Sequence, residues 1–320
     1  MFKEIADWIA FSLFNADLAS HFGQSLQYFV EDSVRILLLL FVMIFFIGVL
    51  RSYLPAHKIK KWLTGRKAGI GNFFAAVFGA ITPFCSCSSI PIFIGFLEAE
   101  VPLGIAFSFL ITSPLINEYV VVIMLGLFGW KITAAYIASG ILLGVFGGLI
   151  LGRMKLEKHI AHDLIASREK MKKESKFKKF SDRLAFGFNE SKSITAKLWG
   201  WILVGVGIGA LLHNYVPQSF VQGVINKGGI FTVPLATLIG VPLYGSSAAL
   251  VPIAVALFEK GVPLGTALAF LMATAALSFP EAVILRRAMN LKLIIIFFSV
   301  VALAIMAIGY LFNLLQPLLM

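Results

Sequence analysis

Four apolar stretches, each close to the length of a bilayer crossing, constrain this chain more than any other feature. They are VRILLLLFVMIFFIGVL (34–50), ITAAYIASGILLGVFGGLILG (132–152), LWGWILVGVGIGALL (198–212) and LIIIFFSVVALAIMAIGYLF (293–312). A helix rises about 1.5 Å per residue, so about 20 apolar residues cross the hydrocarbon core. A soluble helical protein could bury one such helix, but hardly four. Composition agrees: 59% of the 320 residues are hydrophobic and 13% charged, only 16 of them acidic, with a mean hydropathy of +0.92. Soluble domains carry about a quarter charged residues. The chain reads as an all-α polytopic membrane protein.

The net charge of +11 is then a topology signal and not a nucleic-acid footprint. Residues 51–67 carry six Lys/Arg and no acid, and residues 153–197 carry thirteen Lys/Arg against six acids. Both segments lie between apolar spans, where the positive-inside rule assigns them to the cytoplasm. The opening MFKEIADWIAFSLF lacks the basic start, clean apolar run and cleavage site of a signal peptide. Residues 1–28 read instead as an interfacial amphipathic segment.

The chain also echoes itself. PIFIGFLEAEVPLGIAFSFL (91–110) returns as PIAVALFEKGVPLGTALAFL (252–271), at a constant separation of 161 residues. Pro91 pairs with Pro252, Glu98 with Glu259, and the two VPLG tetrads with each other. Glu98 and Glu259 read as surface-turn residues. Upstream, TPFCSCSS faces VPLYGSSAA after a slip of two residues. Downstream, INEY (116–119) faces FPEA (279–282) with the same slip, which pairs Glu118 with Glu281. Charge alternates between the copies. The basic 51–67 faces the nearly neutral 217–229, and the lone Lys131 faces Arg286, Arg287 and Lys292. That alternation predicts inverted-topology repeats. Each repeat then crosses an odd number of times, with both termini outside and the central basic segment inside. The expected layout is an N-terminal segment 1–28, a membrane repeat 29–152, a basic cytoplasmic linker 153–193 and a second repeat 194–316. About 8–10 membrane helical segments fit that length.

Proline cuts the middle of each repeat into runs shorter than a crossing. The breaks are expected at Pro83, Pro91 and Pro114 in the first copy, and at Pro242, Pro252 and Pro280 in the second. Proline removes a helical hydrogen bond, and irregular backbone at membrane depth is tolerated only when protein buries it or it lines a wet cavity. Broken or re-entrant helices meeting near the midplane follow. The alternative is a set of kinked spans packed for shape.

Both cysteines of the chain, Cys85 and Cys87, lie in this broken region. With one residue between them a mutual disulfide is awkward. If the strip is extended, residues 85, 87 and 89 share a face, while Ser86, Ser88 and Ser89 can satisfy freed backbone groups. Helix amino ends there would favour a thiolate or an anionic substrate. Two thiols so close suit a soft electrophile such as trivalent arsenic, antimony or Cu(I). No further ligands lie nearby in sequence, so a resident structural metal is not expected. The alternative is two small buried side chains packing like alanines. The second repeat places Tyr244, Gly245, Ser246 and Ser247 here, which makes any thiol chemistry one-sided. Asn117, Ser246 and Ser247 complete the expected substrate lining, with Thr112, Ser113, Thr274 and Ser278 near it. Glu118 and Glu281 are the candidate proton relay, because an ionisable group within an apolar run is by default part of a pathway. The alternative puts both at an interface, with Glu281 neutralised by Arg286 or Arg287.

A duplicated core carrying TPFCSCSSIP and GVPLYGSSAALVP resembles the predicted-permease family that includes the bacterial organoarsenical efflux permeases. The resemblance runs from about residue 30 to 315 and implies a multi-pass carrier of the bacterial or archaeal inner membrane. In some members it implies export of trivalent methylated or aromatic arsenicals. Cys85 and Cys87 match the family's paired thiols, and Pro83 and Pro91 its flanking prolines. No GxxxxGK[ST] phosphate loop occurs, so this chain does not hydrolyse ATP by that motif. The chain reads as a proton-coupled secondary transporter, not an enzyme, without a cofactor. A membrane thiol enzyme using Cys85 and Cys87, or a channel, are the alternatives. The expected partners are a small solute, protons and the bilayer, not nucleic acid; the oligomeric state is open, a homodimer being one option.

Overall fold

The computed structural model describes residues 21–53, 69–82, 86–154, 156–160, 180–215, 229–242, 254–255, 257–258, 261–286 and 288–319. Ten α-helices run through them: α1 (His21–Tyr53), α2 (Ile70–Ile81), α3 (Ser86–Glu98), α4 (Leu103–Leu115), α5 (Glu118–Arg153), α6 (Phe180–Tyr215), α7 (Thr232–Gly240), α8 (Leu264–Ala276), α9 (Phe279–Leu285) and α10 (Leu291–Leu319). Val120–Arg153 and Leu291–Leu318 are long and apolar enough to cross a membrane. The apolar stretches 34–50 and 198–212 fall inside α1 and α6.

The short helices α4 and α8 form the centre, and the long helices expose apolar side chains around it. Every residue of α4 is buried, and all of α8 except Ala275. At 13 residues each, they extend about 20 Å, too short to cross about 30 Å of hydrocarbon. Van der Waals fit must hold such helices together in lipid, and small residues allow it. α2 buries Gly71, Asn72, Ala75, Ala76 and Gly79 along one stripe against α4, while Phe73, Phe78 and Ile81 point outward. A methyl group on Gly79 would sit 2.9 Å from the Phe109 carbonyl oxygen, and one on Gly104 2.6 Å from that of Gly148. Neither position has room for a side chain.

The echo in sequence is an echo in geometry. The α3–α4 turn closes with Val101 N–H donating to the Phe96 carbonyl at 2.9 Å and Glu100 N–H to that of Leu97 at 3.1 Å. Val262 and Gly261 repeat this toward Leu257 and Phe258 at 3.1 and 2.9 Å. Glu100 (φ 57°) and Gly261 (φ 87°) are both left-handed, the helix-ending arrangement in which glycine is the usual residue. Pro102 and Pro263 then open α4 and α8 with nearly equal dihedrals, −52°/134° and −54°/142°. Gly79 and Gly104 pack as Gly240 and Gly265 do, against α8 and α10. The upstream slip of two residues has a physical origin here. α2 continues two residues beyond Gly79, whereas α7 stops at Gly240.

Several contacts fix helix directions. Asn72 meets Gly104 and Ser108, while Gly79 meets Phe109 and Ser113. Thus α2 and α4 run in the same sense, and α3 returns between them. Along α1 and α6, Phe41 meets Phe188 and Ser191, whereas Phe29 meets Gly207, so these two run oppositely. At one end of α5, His159 and Ile160 pair with Asn290 and Met289 just before α10. Nearer its other end, Phe128 packs on Phe258, close to the turn whose helix α8 is held by Asn313 and Gln316 of α10.

One break differs from expectation. α3 runs through Pro91, which lies in its sixth position; one lost backbone bond near a helix start does not stop a buried helix. α4, by contrast, ends one residue after Pro114. Pro242 follows the end of α7, and Pro280 sits in the first turn of α9. Pro83 and Pro252 lie outside the described residues.

Candidate functional site

The thiol strip lies at the start of α3. Helix begins at Ser86, so Ser86, Cys87, Ser88 and Ser89 form its first turn and are not extended. Cys85, Ser246 and Ser247 lie outside the described residues, as do the side chains of Ser86, Cys87 and Ser88. Ser89 is completely buried, and its hydroxyl shares a 2.6 Å hydrogen bond with that of Ser113 near the end of α4. The start of α3 and the end of α4 therefore meet.

That end of α4 is satisfied from α5. Pro114 has no N–H to give, and the chain leaves the helix at Ile116. The hydroxyl of Tyr136, a fully buried side chain, donates to the Leu115 carbonyl at 3.0 Å. Asn117 then caps α5, its side-chain oxygen accepting from Val120 N–H at 2.9 Å. This is the ordinary N-cap role of asparagine. Asn117 is only partly buried, so lining and capping are compatible.

The two acids are not equivalent. Asn117 caps α5 and Ser278 precedes α9, 161 residues on, with no slip. Glu118 is thus the first residue of its helix and Glu281 the third. Two residues turn a side chain about 200° around a helix. Accordingly Glu118 is exposed, whereas Glu281 is 2% exposed and takes the place of fully buried Val120. Ser278 and Glu281 have capping-box spacing, although the Ser278 hydroxyl makes no capping bond. Helix α9 packs against both α3 and α6, so the element bearing Glu281 touches the element bearing Cys87.

Sequence reasoning missed a polar ladder. Asn72 Nδ2 donates to the Gly104 carbonyl at 3.0 Å and to Ser108 Oγ at 2.9 Å, and Thr112 Oγ1 donates to the Ser108 carbonyl at 2.9 Å. The signal was an asparagine in an apolar twelve-residue helix, which needs a partner at membrane depth. A cavity of about 290 Å³ opens away from these residues, beside the α3–α4 turn, lined by Leu97, Glu100, Pro102, Glu157 and Ile160 among others. At the matching place in the second repeat, Leu264 and Gly265 N–H donate to Gln316 and Asn313 at 3.0 and 2.7 Å. Among the described residues no group of three or more His, Cys, Asp or Glu gathers as a metal site.

Comparison with known proteins bears on this arrangement as a whole. A family model described as "Predicted permease" matches residues 21–314. A Streptococcus mutans protein named as a subunit of a two-component membrane permease complex is 32% identical over 115 residues, 35% of this chain and 38% of that protein. The match thus spans well under half of that relative's length. An uncharacterised-family protein of Methanocaldococcus jannaschii is 24% identical over 80% of this chain and 84% of its own. No solved structure matches. The broken central helices and the apolar rim are therefore those of a membrane protein of the Predicted permease family, a transport family and not an enzyme family.

Proposed function

We propose that the chain is a proton-coupled secondary transporter of the inner membrane, built from two inverted-topology repeats and exporting a small solute. The duplicated geometry supports the repeats. Equivalent helices α1 and α6 run oppositely, and the end contacts of α5 and α10 oppose those two in the same way. In this reading α2 and α3 form a hairpin entering from the linker side, with the start of α3 at Ser86 toward its tip. Helices α4 and the first part of α5, up to Gly129 (φ 79°, ψ 175°), form one broken crossing. The tip and both breaks, 116–117 and 277–278, then lie near mid-depth, where irregular backbone marks transporter sites. The layout is 1–28, 29–152, 153–193 and 194–316, with the linker inside and both termini outside.

Cys85 and Cys87 take the cargo, a soft electrophile of the trivalent organoarsenical class, and Ser86, Ser88, Ser89, Asn117, Ser246 and Ser247 complete its lining. Glu281 carries the proton, and exposed Glu118 is secondary. The carrying observation is that buried Glu281 sits on α9, which packs against the helix bearing Cys87. An ionisable group kept inside a membrane bundle points to a relay. A channel is the competing reading.

Uptake of phenylarsine oxide into inside-out vesicles, with and without a proton gradient, tests this. Cys85→Ser and Cys87→Ser each abolish uptake, while Glu281→Gln retains binding but loses gradient-driven flux. Normal uptake by both serine variants removes the thiol assignment. Full gradient-dependent activity of Glu281→Gln removes the relay, and flux that ignores the gradient favours the channel.

A further inference from the structure

We propose that Tyr136 is a positioning residue for the thiol strip, acting through the end of α4. The inference rests on Cys85 and Cys87 being the cargo contacts. Three links lie on the page. The Tyr136 hydroxyl holds the Leu115 carbonyl at 3.0 Å; Ser113, two residues back on α4, bonds Ser89 at 2.6 Å; Ser89 ends the first turn of α3, two residues from Cys87. All three side chains are completely buried. A phenol hydroxyl inside a bundle must find a partner. This one satisfies a carbonyl at the end of α4, where the helix backbone supplies no partner.

The other half of the molecule supplies the contrast. The position 161 residues on is Phe297, which has no hydroxyl and stacks instead on Phe107 at 5.2 Å. The place of the thiol strip there is Tyr244-Gly245-Ser246-Ser247. Hydroxyl brace and thiols occur together in one repeat and are both missing from the other. A tyrosine retained only for packing would be matched in size by Phe297, so the hydroxyl is the distinguishing atom.

The test needs no knowledge of the cargo, because the chain has two cysteines only. The rate at which N-ethylmaleimide alkylates the folded full-length protein reports on Cys85 and Cys87 directly. Tyr136→Phe changes that rate by roughly 3- to 10-fold, the weight of one buried hydrogen bond. Ser113→Ala, which cuts the next link, shifts it in the same direction. Ser139→Ala is the control: it removes a buried hydroxyl one turn along α5 that bonds only within its own helix, to the Tyr136 carbonyl at 2.8 Å. It leaves the rate unchanged. An unchanged rate in Tyr136→Phe overturns the proposal, as does an equal shift in the Ser139→Ala control. If Tyr136→Phe does not insert, an unchanged rate in Ser113→Ala overturns it alone. Failure of the cargo assignment would show in the vesicle assay with the cysteine variants while leaving these rates as stated.

Discussion

The two repeats share a backbone and differ in chemistry. Both turn through a left-handed residue, open a buried helix with proline and cross it closely over a long one at Gly104/Gly148 or Gly265/Gly309. Yet Asn72, Ser108 and Thr112 in the first stand where Val233, Ala269 and Ala273 stand in the second, and Tyr136 where Phe297 stands. The buried acid is reversed: Glu281 replaces Val120. Steric demands of close crossing hold both copies to glycine and proline, whereas polar groups were free to divide. One half carries both cysteines and the Asn72–Ser108 and Tyr136–Leu115 hydrogen bonds, and the other carries Glu281.

The largest expected break in that comparison is functional. Glu281→Gln takes gradient-driven transport to background, whereas Glu118→Gln, exposed at the start of α5, leaves most of it. Equal loss in both would restore the equivalence that the helix caps deny. Next come the crossings. Gly104→Ala and Gly265→Ala each force a methyl into a backbone carbonyl or amide and should each destabilise by about 1–3 kcal/mol, read as thermal unfolding in detergent. A large effect in one copy alone would mean that the crossings are not shared.

Smaller effects sharpen the contrast. Asn72→Leu loses two interhelical bonds in an apolar bundle and should lower stability by about 0.6–2 kcal/mol. The left-handed turn gives a reciprocal pair. Glu100→Gly should stabilise by about 1 kcal/mol and Gly261→Glu destabilise by about as much. A destabilising Glu100→Gly would mean that the Glu100 side chain contributes more than its backbone strain removes.

Much of this architecture could be read from repetition. The VPLG tetrads, with their prolines and the residue two before each, mark the turn, and the constant separation carries through to the helix crossings. Depth and side were harder. Asparagine and serine are both ordinary cap residues, so Asn117 and Ser278 could have been aligned without a slip; the similar look of INEY and FPEA hid that Glu118 and Glu281 face opposite ways. Pro91 misled because proline near a helix start removes one bond and need not end the helix. Tyr136 and Asn72 were legible only as polar atoms in apolar runs. Their partners, Leu115 and Ser108, lie 21 and 36 residues away, and only the folded chain brings them together.

The central claim is that the two halves oppose each other across the membrane, and the equivalent turn residues Pro102 and Pro263 report on it directly. Both are exposed. In a Cys85→Ser/Cys87→Ser background, Pro102→Cys and Pro263→Cys are each treated with a membrane-impermeant maleimide, in right-side-out and in inside-out vesicles. Inverted repeats predict that Pro102→Cys labels only from the cytoplasmic side and Pro263→Cys only from the outside. Labelling of both from the same side would contradict the account.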